Sequence, residues 1–224
     1  MQNAITLIQK FRPRACFIDG SLILHPSDKP GSESLLKKEY ERTIALFTQL
    51  YATAHQHECM LIGAVEDSRS TRLGEWIHTH MNVDHGNEKM YDVPLMEHVL
   101  QPGERSLAFS IAEKNTTHPT LSDVSPVWQE KLYACYLKPS QWDYPLRIEF
   151  LSDKETLSAN ATRAAEIAYA QSALHKEYAF PSILVEADMR AGLNPEEIEL
   201  VSDKILSKLG RHTLRMKRRD RRPF

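Results

Sequence analysis

Two short apolar runs, each ending on an aspartate, constrain this chain more than any other feature. Ala15-Cys16-Phe17-Ile18 leads into Asp19-Gly20-Ser21, and Leu61-Ile62-Gly63-Ala64-Val65-Glu66 leads into Asp67-Ser68-Arg69-Ser70. Runs this short and apolar, bounded by turn formers, read as buried strands. An aspartate at the end of a buried strand stands at the lip of a sheet, on rigid backbone. Two such carboxylates on neighbouring strands suit a hard divalent cation with oxygen ligands, and that arrangement suits phosphodiester hydrolysis. Asp and Ser are also ordinary turn residues, so the pair acquires meaning only with further acidic residues.

The rest of the chain alternates helical and strand-like patterns. Residues 1–12 suit an amphipathic helix ending before Pro13, and Leu22-Ile23-Leu24 is expected to continue or pair with the first strand. A long helix is expected over Ser34–His57, with Leu36, Tyr40, Ile44, Phe47, Tyr51 and Ala54 as its apolar stripe. A helix over Thr71–His80, a loop over Asp84–Pro94 and a short helix over Leu95–Leu100 follow. Strands are expected over Ser106–Ile111, Leu132–Leu137 and Leu146–Phe150, with a loop over Asn115–Pro126. Glu155–His175 is an Ala-rich helix. Pro181–Ala191, with proline in its first turn, and Pro195–Leu209 complete the pattern. Strands first, helices interspersed and then dominant, indicate an α/β fold: a sheet covered by helices.

The third acidic candidate is Asp188. On a helix starting near Pro181 it shares a face with Leu184 and Ala187, which can turn it toward the sheet. A fourth carboxylate is sought on the long helix, from Glu39 or Glu41; Glu41 flanks the apolar stripe, where a charge needs a partner.

Composition bounds the function classes. The chain has 224 residues, 42% hydrophobic and 26% charged, ordinary values for a globular protein. We expect one domain over residues 1–210 and a tail over 211–224. No apolar run approaches the roughly 20 residues that span a bilayer, and the N-terminus lacks a secretory pattern. Cys16, Cys59 and Cys135 lack zinc spacing and read as buried free thiols of a reducing compartment; a cytoplasmic location is expected. The net charge of −2 conceals an asymmetry: residues 211–224 hold seven Lys or Arg against Asp220, a net +6 that leaves −8 on the remainder. Such a tail marks an acidic partner, nucleic acid or protein. There is no GxxxxGK[ST] loop for nucleotide hydrolysis and no serine nucleophile elbow. His78-Thr79-His80 with Asp84-His85-Gly86-Asn87 lacks a ββα setting and reads as polar surface.

Assembled in order, these landmarks resemble the NurA family of prokaryotic DNA-repair nucleases. The matching segments are Phe17-Ile18-Asp19-Gly20-Ser21-Leu22, Leu61 through Ser70, Asp92-Val93-Pro94-Leu95 through Ser106, Cys135-Tyr136-Leu137-Lys138 with Pro145 through Phe150, and Phe180-Pro181 through Asp188. The resemblance implies an RNase H-like mixed sheet flanked by helices and a site for two Mn²⁺ or Mg²⁺ ions, held by Asp19, Asp67 and Asp188 with Glu41 as the helix glutamate. Ser21 and Ser68 are then expected to orient the site, and Arg69 and Arg147 to contact phosphate. It further implies a homodimer that processes DNA ends with a HerA-type hexameric ATPase. Two departures stand out: Glu66 where many relatives carry Lys, and Phe180 where relatives often carry Tyr. A rival reading, motivated by Glu66 and the basic tail, is a catalytically silent DNA-binding adaptor of a motor ATPase. A nuclease subunit of an anti-phage defence complex is a further alternative.

Overall fold

Proline at position 13 ends the first helix, α1 (Gln2–Phe11), one residue after Arg12 closes it in a left-handed cap whose N–H reaches Ile8 O at 2.9 Å. The computed structural model describes residues 1–31, 34–81, 90–112, 119–192 and 194–209. After α1 come β1 (Ala15–Asp19), α2 (Lys37–Gln56), β2 (Met60–Val65), α3 (Arg72–Met81), α4 (Asp92–Val99), β3 (Phe109–Ser110), α5 (Pro126–Gln129), β4 (Leu132–Leu137), β5 (Leu146–Leu151), α6 (Leu157–Ser172), α7 (Ser182–Ala191) and α8 (Pro195–Leu209). The fold is α/β, as expected from the alternating pattern.

The five strands form one mixed sheet in the order β1-β2-β5-β4-β3. β1 and β2 are parallel; β2–β5, β5–β4 and β4–β3 are antiparallel. Alternate side chains of a strand point to opposite faces, and two cores result. On one face Leu61, Leu132, Ala134 and Tyr136 pack with Ile5 and Ile8 of α1 and Phe47, Leu50, Tyr51 and Ala54 of α2. On the other face Ile62, Ala64, Cys135, Ile148 and Phe150 pack against Ala161, Ala164, Ala165 and Ala168 of α6. The small alanine stripe lets α6 lie close to the sheet, which explains why its sequence is Ala-rich rather than Leu-rich.

Several expected boundaries shift. Leu22-Ile23-Leu24 forms no strand. Leu22 and Ile23 are buried in a loop, and the Leu22 N–H that a ladder would use donates instead to a carboxylate on β5, Glu149 Oε2, at 2.8 Å. The long helix begins at Lys37, three residues later than Ser34, because Leu36 is 66% exposed and has no core to enter. α4 starts at Asp92 and accommodates Pro94 in its first turn, where no N–H is missed; residues 84–89 of the expected loop lie outside the described residues. The Ser106–Ile111 strand shrinks to two paired residues. Within the expected loop over 115–126, residues 115–118 also lie outside the described set.

Gly63 positions everything that follows. It pairs with Ile18 on one side and Glu149 on the other. A Cβ built on it falls 2.9 Å from both Gly20 O and Leu22 Cγ. The chain leaving β1 therefore folds directly over β2 at the one strand position without a side chain, turning through Gly20 at φ 97°. We expect Gly63→Ala to cost about 1–3 kcal/mol, because backbone oxygen and a buried leucine both oppose the added carbon. Urea unfolding measures it; an unchanged midpoint would contradict the crossing.

The chain divides into two compact units, Met1–Val185 and Glu186–Phe224. Within the second, Arg190 pairs with Glu186 at 2.6 Å along α7, and the apolar residues Ile198, Leu200, Val201 and Ile205 of α8 are exposed. Gly210 and the basic tail lie outside the described residues. All three cysteines are free thiols, Cys59 and Cys135 buried and Cys16 partly so; burial pushes the Cys135 thiol up to about 12. Among the described residues, no helix is long and apolar enough to cross a membrane.

Candidate active site

Because β1 and β2 run parallel and in register, with Asp19 opposite Ala64, their C-terminal ends open at one edge of the sheet. Asp19 is the last residue of β1. Asp67 lies two residues beyond β2 in a left-handed turn at φ 40°, a conformation that Asp and Asn tolerate better than most side chains. Both aspartates are exposed.

A cavity of about 540 Å³ opens beside Asp67, and Ser21, Asp67, Ser68, Arg69 and Arg147 all line it, together with Arg72, Glu75 and Glu149. Five of the residues expected from the sequence thus converge there. Asp19 is not among its lining residues; its carboxylate acts instead on Glu66 and Tyr178. Burial, opposed by a hydrogen bond from Tyr178 and reinforced by the charges of Asp67, Asp143 and Asp19, holds the Glu66 carboxyl above its ordinary range. Glu66 is therefore within electrostatic reach of both aspartates. Phe180 is buried and has no hydroxyl, but Tyr178 supplies one to this edge.

One expected residue does not join the group. Glu41 is exposed and lines a separate cavity with Lys29, Tyr40, Ile44 and Asp123. In that cavity Lys29 and the Tyr40 hydroxyl already neutralise and bond Asp123, at 2.7 and 2.6 Å. Asp188 lies on the exposed stretch of α7 and belongs to the second compact unit.

The residue that sequence reasoning missed is Glu149. It is 1% exposed, yet it organises the cavity floor. Its Oε2 accepts hydrogen bonds from Ser21 Oγ at 2.7 Å and Leu22 N at 2.8 Å. Its Oε1 accepts from Arg147 Nε at 2.9 Å and Nη2 at 2.8 Å. Tyr51 adds a bond from its hydroxyl to Leu22 O. The loop after Asp19 is thereby fixed from both sides. Arg147, expected to touch phosphate, is itself 6% exposed and committed to Glu149. Burial works against its charge, but Glu149, Tyr136 and Asp92 together outweigh that and hold the guanidinium above its ordinary value. The signal was present: Arg147 and Glu149 alternate along an apolar strand, so both charges must enter one buried face, where each requires a partner.

A second buried group supports the Ser68 side. Asp92 is fully buried; its Oδ1 accepts the Gly74 N–H at 3.0 Å and its Oδ2 the Tyr136 hydroxyl at 2.8 Å. Tyr136 in turn stands 3.4 Å from Ser68 Oγ, and burial pushes its phenol up to about 12. Asp92 thus ties α3, α4 and β4 together beneath the turn that carries Asp67.

The NurA domain profile matches residues 2–193 of the chain. The chain belongs to the NurA family. NurA is a nuclease family, and the match takes in both aspartates, the cavity and α7. No curated protein and no solved structure matches the chain. Within this NurA domain, the loop that follows Asp19 is locked by Glu149, and the turn that carries Asp67 is propped by Asp92 and Tyr136.

Proposed function

We infer that this NurA-family chain is a metal-dependent DNA nuclease of the 5′–3′ exonuclease and single-strand endonuclease type, acting on DNA ends as a homodimer with a HerA-type hexameric ATPase. One observation carries the reading: parallel neighbours β1 and β2 deliver Asp19 and Asp67 to the same end of the sheet in a NurA domain. The RNase H-like assignment of the fold rests on that same mixed sheet and acidic edge.

The donors at this edge are carboxylate oxygens, the chemistry that Mn²⁺ and Mg²⁺ prefer. As placed, the carboxylates are not drawn onto one point: among the described residues, no group of three or more His, Cys, Asp or Glu could hold a metal ion. Asp19 and Asp67 would hold the ions, and Glu66, beside both, takes the place expected of Glu41. The part of Asp188 rests on the family resemblance. When bound, two divalent ions supply Lewis acidity, favouring water as nucleophile and stabilising charge on the departing 3′ oxygen.

The side chains do the remaining work. Ser21 bonds Glu149 and accepts the Ile23 N–H at 3.1 Å, which keeps the loop after Asp19 in one conformation. Ser68 does the same for the second turn by accepting the Ser70 N–H at 3.4 Å. Arg69, exposed at the cavity mouth, is placed to bind phosphate oxygens. In the reaction the water oxygen bonds to phosphorus, the bond to the 3′ oxygen breaks, and a proton passes to that oxygen. The products carry 5′-phosphate and 3′-hydroxyl ends. Terminal transferase should therefore extend the cut strands without prior phosphatase treatment, whereas products ending in 3′-phosphate would overturn this direction of cleavage.

The basic tail is assigned to DNA. Removing residues 211–224 should weaken DNA binding and reduce its salt slope by about 1 for each phosphate that the tail neutralises. Undiminished affinity and slope, with failure to assemble with the ATPase, would assign the tail to the motor instead.

A further inference from the structure

The connection between β4 and β5 carries a feature that the fold does not use. Val65 pairs with Arg147, so this connection, residues 138–145, opens at the same end of the sheet as Asp67. Its backbone is pinned. Lys138 is buried, pairs with Glu97, and donates to Asp143 O at 2.8 Å. Ser140 Oγ accepts the Trp142 N–H at 3.1 Å and donates to Lys176 O at 2.5 Å. The Asp143 carboxylate accepts the N–H groups of Tyr144 at 2.8 Å and Ala179 at 2.6 Å. Against this fixed frame, Trp142 is 69% and Tyr144 70% exposed. Two large aromatic side chains on a tied-down turn contribute little to the core, and rigid aromatics of this kind serve as contact surface at low entropic cost.

The charge of the neighbourhood selects the occupant. Asp143 acts on Glu66 and Tyr178 together with Asp19, so this edge is acidic. Around Asp143 these carboxylates repel a phosphate backbone, and Arg69, in the cavity beside Asp67, is where a phosphate finds a cation. A nucleobase face carries no charge and stacks on aromatic rings regardless of sequence. In a duplex those faces are already covered by neighbouring base pairs; in a single strand they are free.

We propose that Trp142 and Tyr144 form a stacking platform for the bases of single-stranded DNA beside the acidic edge. The assignment rests on the nuclease reading for its ligand, DNA. It adds the element that holds an unpaired strand next to Asp19 and Asp67.

The test is a titration of the full chain with fluorescein-labelled oligothymidylate in EDTA, where nothing is cut, so the outcome is independent of whether the chain cleaves DNA. Trp142→Ala or Tyr144→Ala alone should weaken binding about tenfold, and both together about 10²-fold. The salt slope should be unchanged, because neither ring neutralises a phosphate. Trp142→Phe with Tyr144→Phe, which keeps two stacking faces, should restore most of the affinity. Oligothymidylate affinity unchanged in the double alanine variant overturns the platform. So does a loss of self-association in sedimentation without a loss of DNA affinity, which would make the pair a protein contact.

Discussion

Replacing Glu149 by alanine is expected to lower stability by about 3–5 kcal/mol. The carboxylate is the counter-charge of Arg147, and both are buried. Removing one partner leaves a charge in a low-dielectric interior with nothing to offset its lost hydration. The same substitution strips Ser21 and Leu22 of their acceptor. Glu149→Gln separates the two roles, because an amide oxygen can still accept from Ser21 and Leu22 but cannot neutralise Arg147. It should recover part of the loss. Pairing Glu149→Leu with Arg147→Met removes both charges and should recover more stability than Glu149→Gln, while leaving the loop after Asp19 unanchored. Urea unfolding of the three variants orders them; a Glu149→Ala midpoint equal to wild type would contradict the role given to Glu149 in the cavity floor.

Asp19→Asn is expected to reduce DNA cleavage by about 10³-fold, the equivalent of about 4 kcal/mol of lost transition-state stabilisation. Its stability should stay within about 0.5 kcal/mol of wild type. Asn keeps the shape of the side chain at the end of β1, and Asp19 is exposed, so the fold has little stake in its charge. A metal ligand has a large stake in it. The combination of lost activity with unchanged melting distinguishes a ligand from a structural turn residue. An Asp19→Asn protein that cuts DNA at the wild-type rate would remove Asp19 from the site.

How far the sequence disclosed this structure depended on whether the signal was local. β4 emerges over Leu132–Leu137 as its alternation implies, and α1, α3, α6, α7 and α8 begin within two residues of their expected starts, because helical period and capping prolines are written along the chain. The Asp19 and Asp67 turns were legible for the same reason. What was not legible depended on pairing across the sheet. Leu22-Ile23-Leu24 is apolar enough for a strand, but its burial comes from crossing β2 at Gly63, a fact that exists only once β1, β2 and β5 are adjacent. Glu149 was hidden likewise. Its partners Ser21 and Leu22 stand 128 and 127 residues away, although the Arg147–Glu149 alternation already implied a buried charge pair. Glu41 looked available because it bordered an apolar stripe. That stripe buries only its later part, Phe47 onward, and leaves Glu41 facing another cavity.

The central claim is that the carboxylates at the end of the parallel pair cut DNA with divalent metal. The measurement that tests it most directly is cleavage of end-labelled single- and double-stranded DNA by wild type and Asp67→Asn, each in Mn²⁺, Mg²⁺ and EDTA, with the HerA-type ATPase present and absent. Asn suits this position because the turn holds φ at 40°, which it tolerates. The expected result is cutting by wild type in Mn²⁺ or Mg²⁺, none in EDTA, and at least about a 10³-fold reduction in Asp67→Asn. Intact DNA in both metals with the ATPase present, or equal cutting by Asp67→Asn, would contradict it.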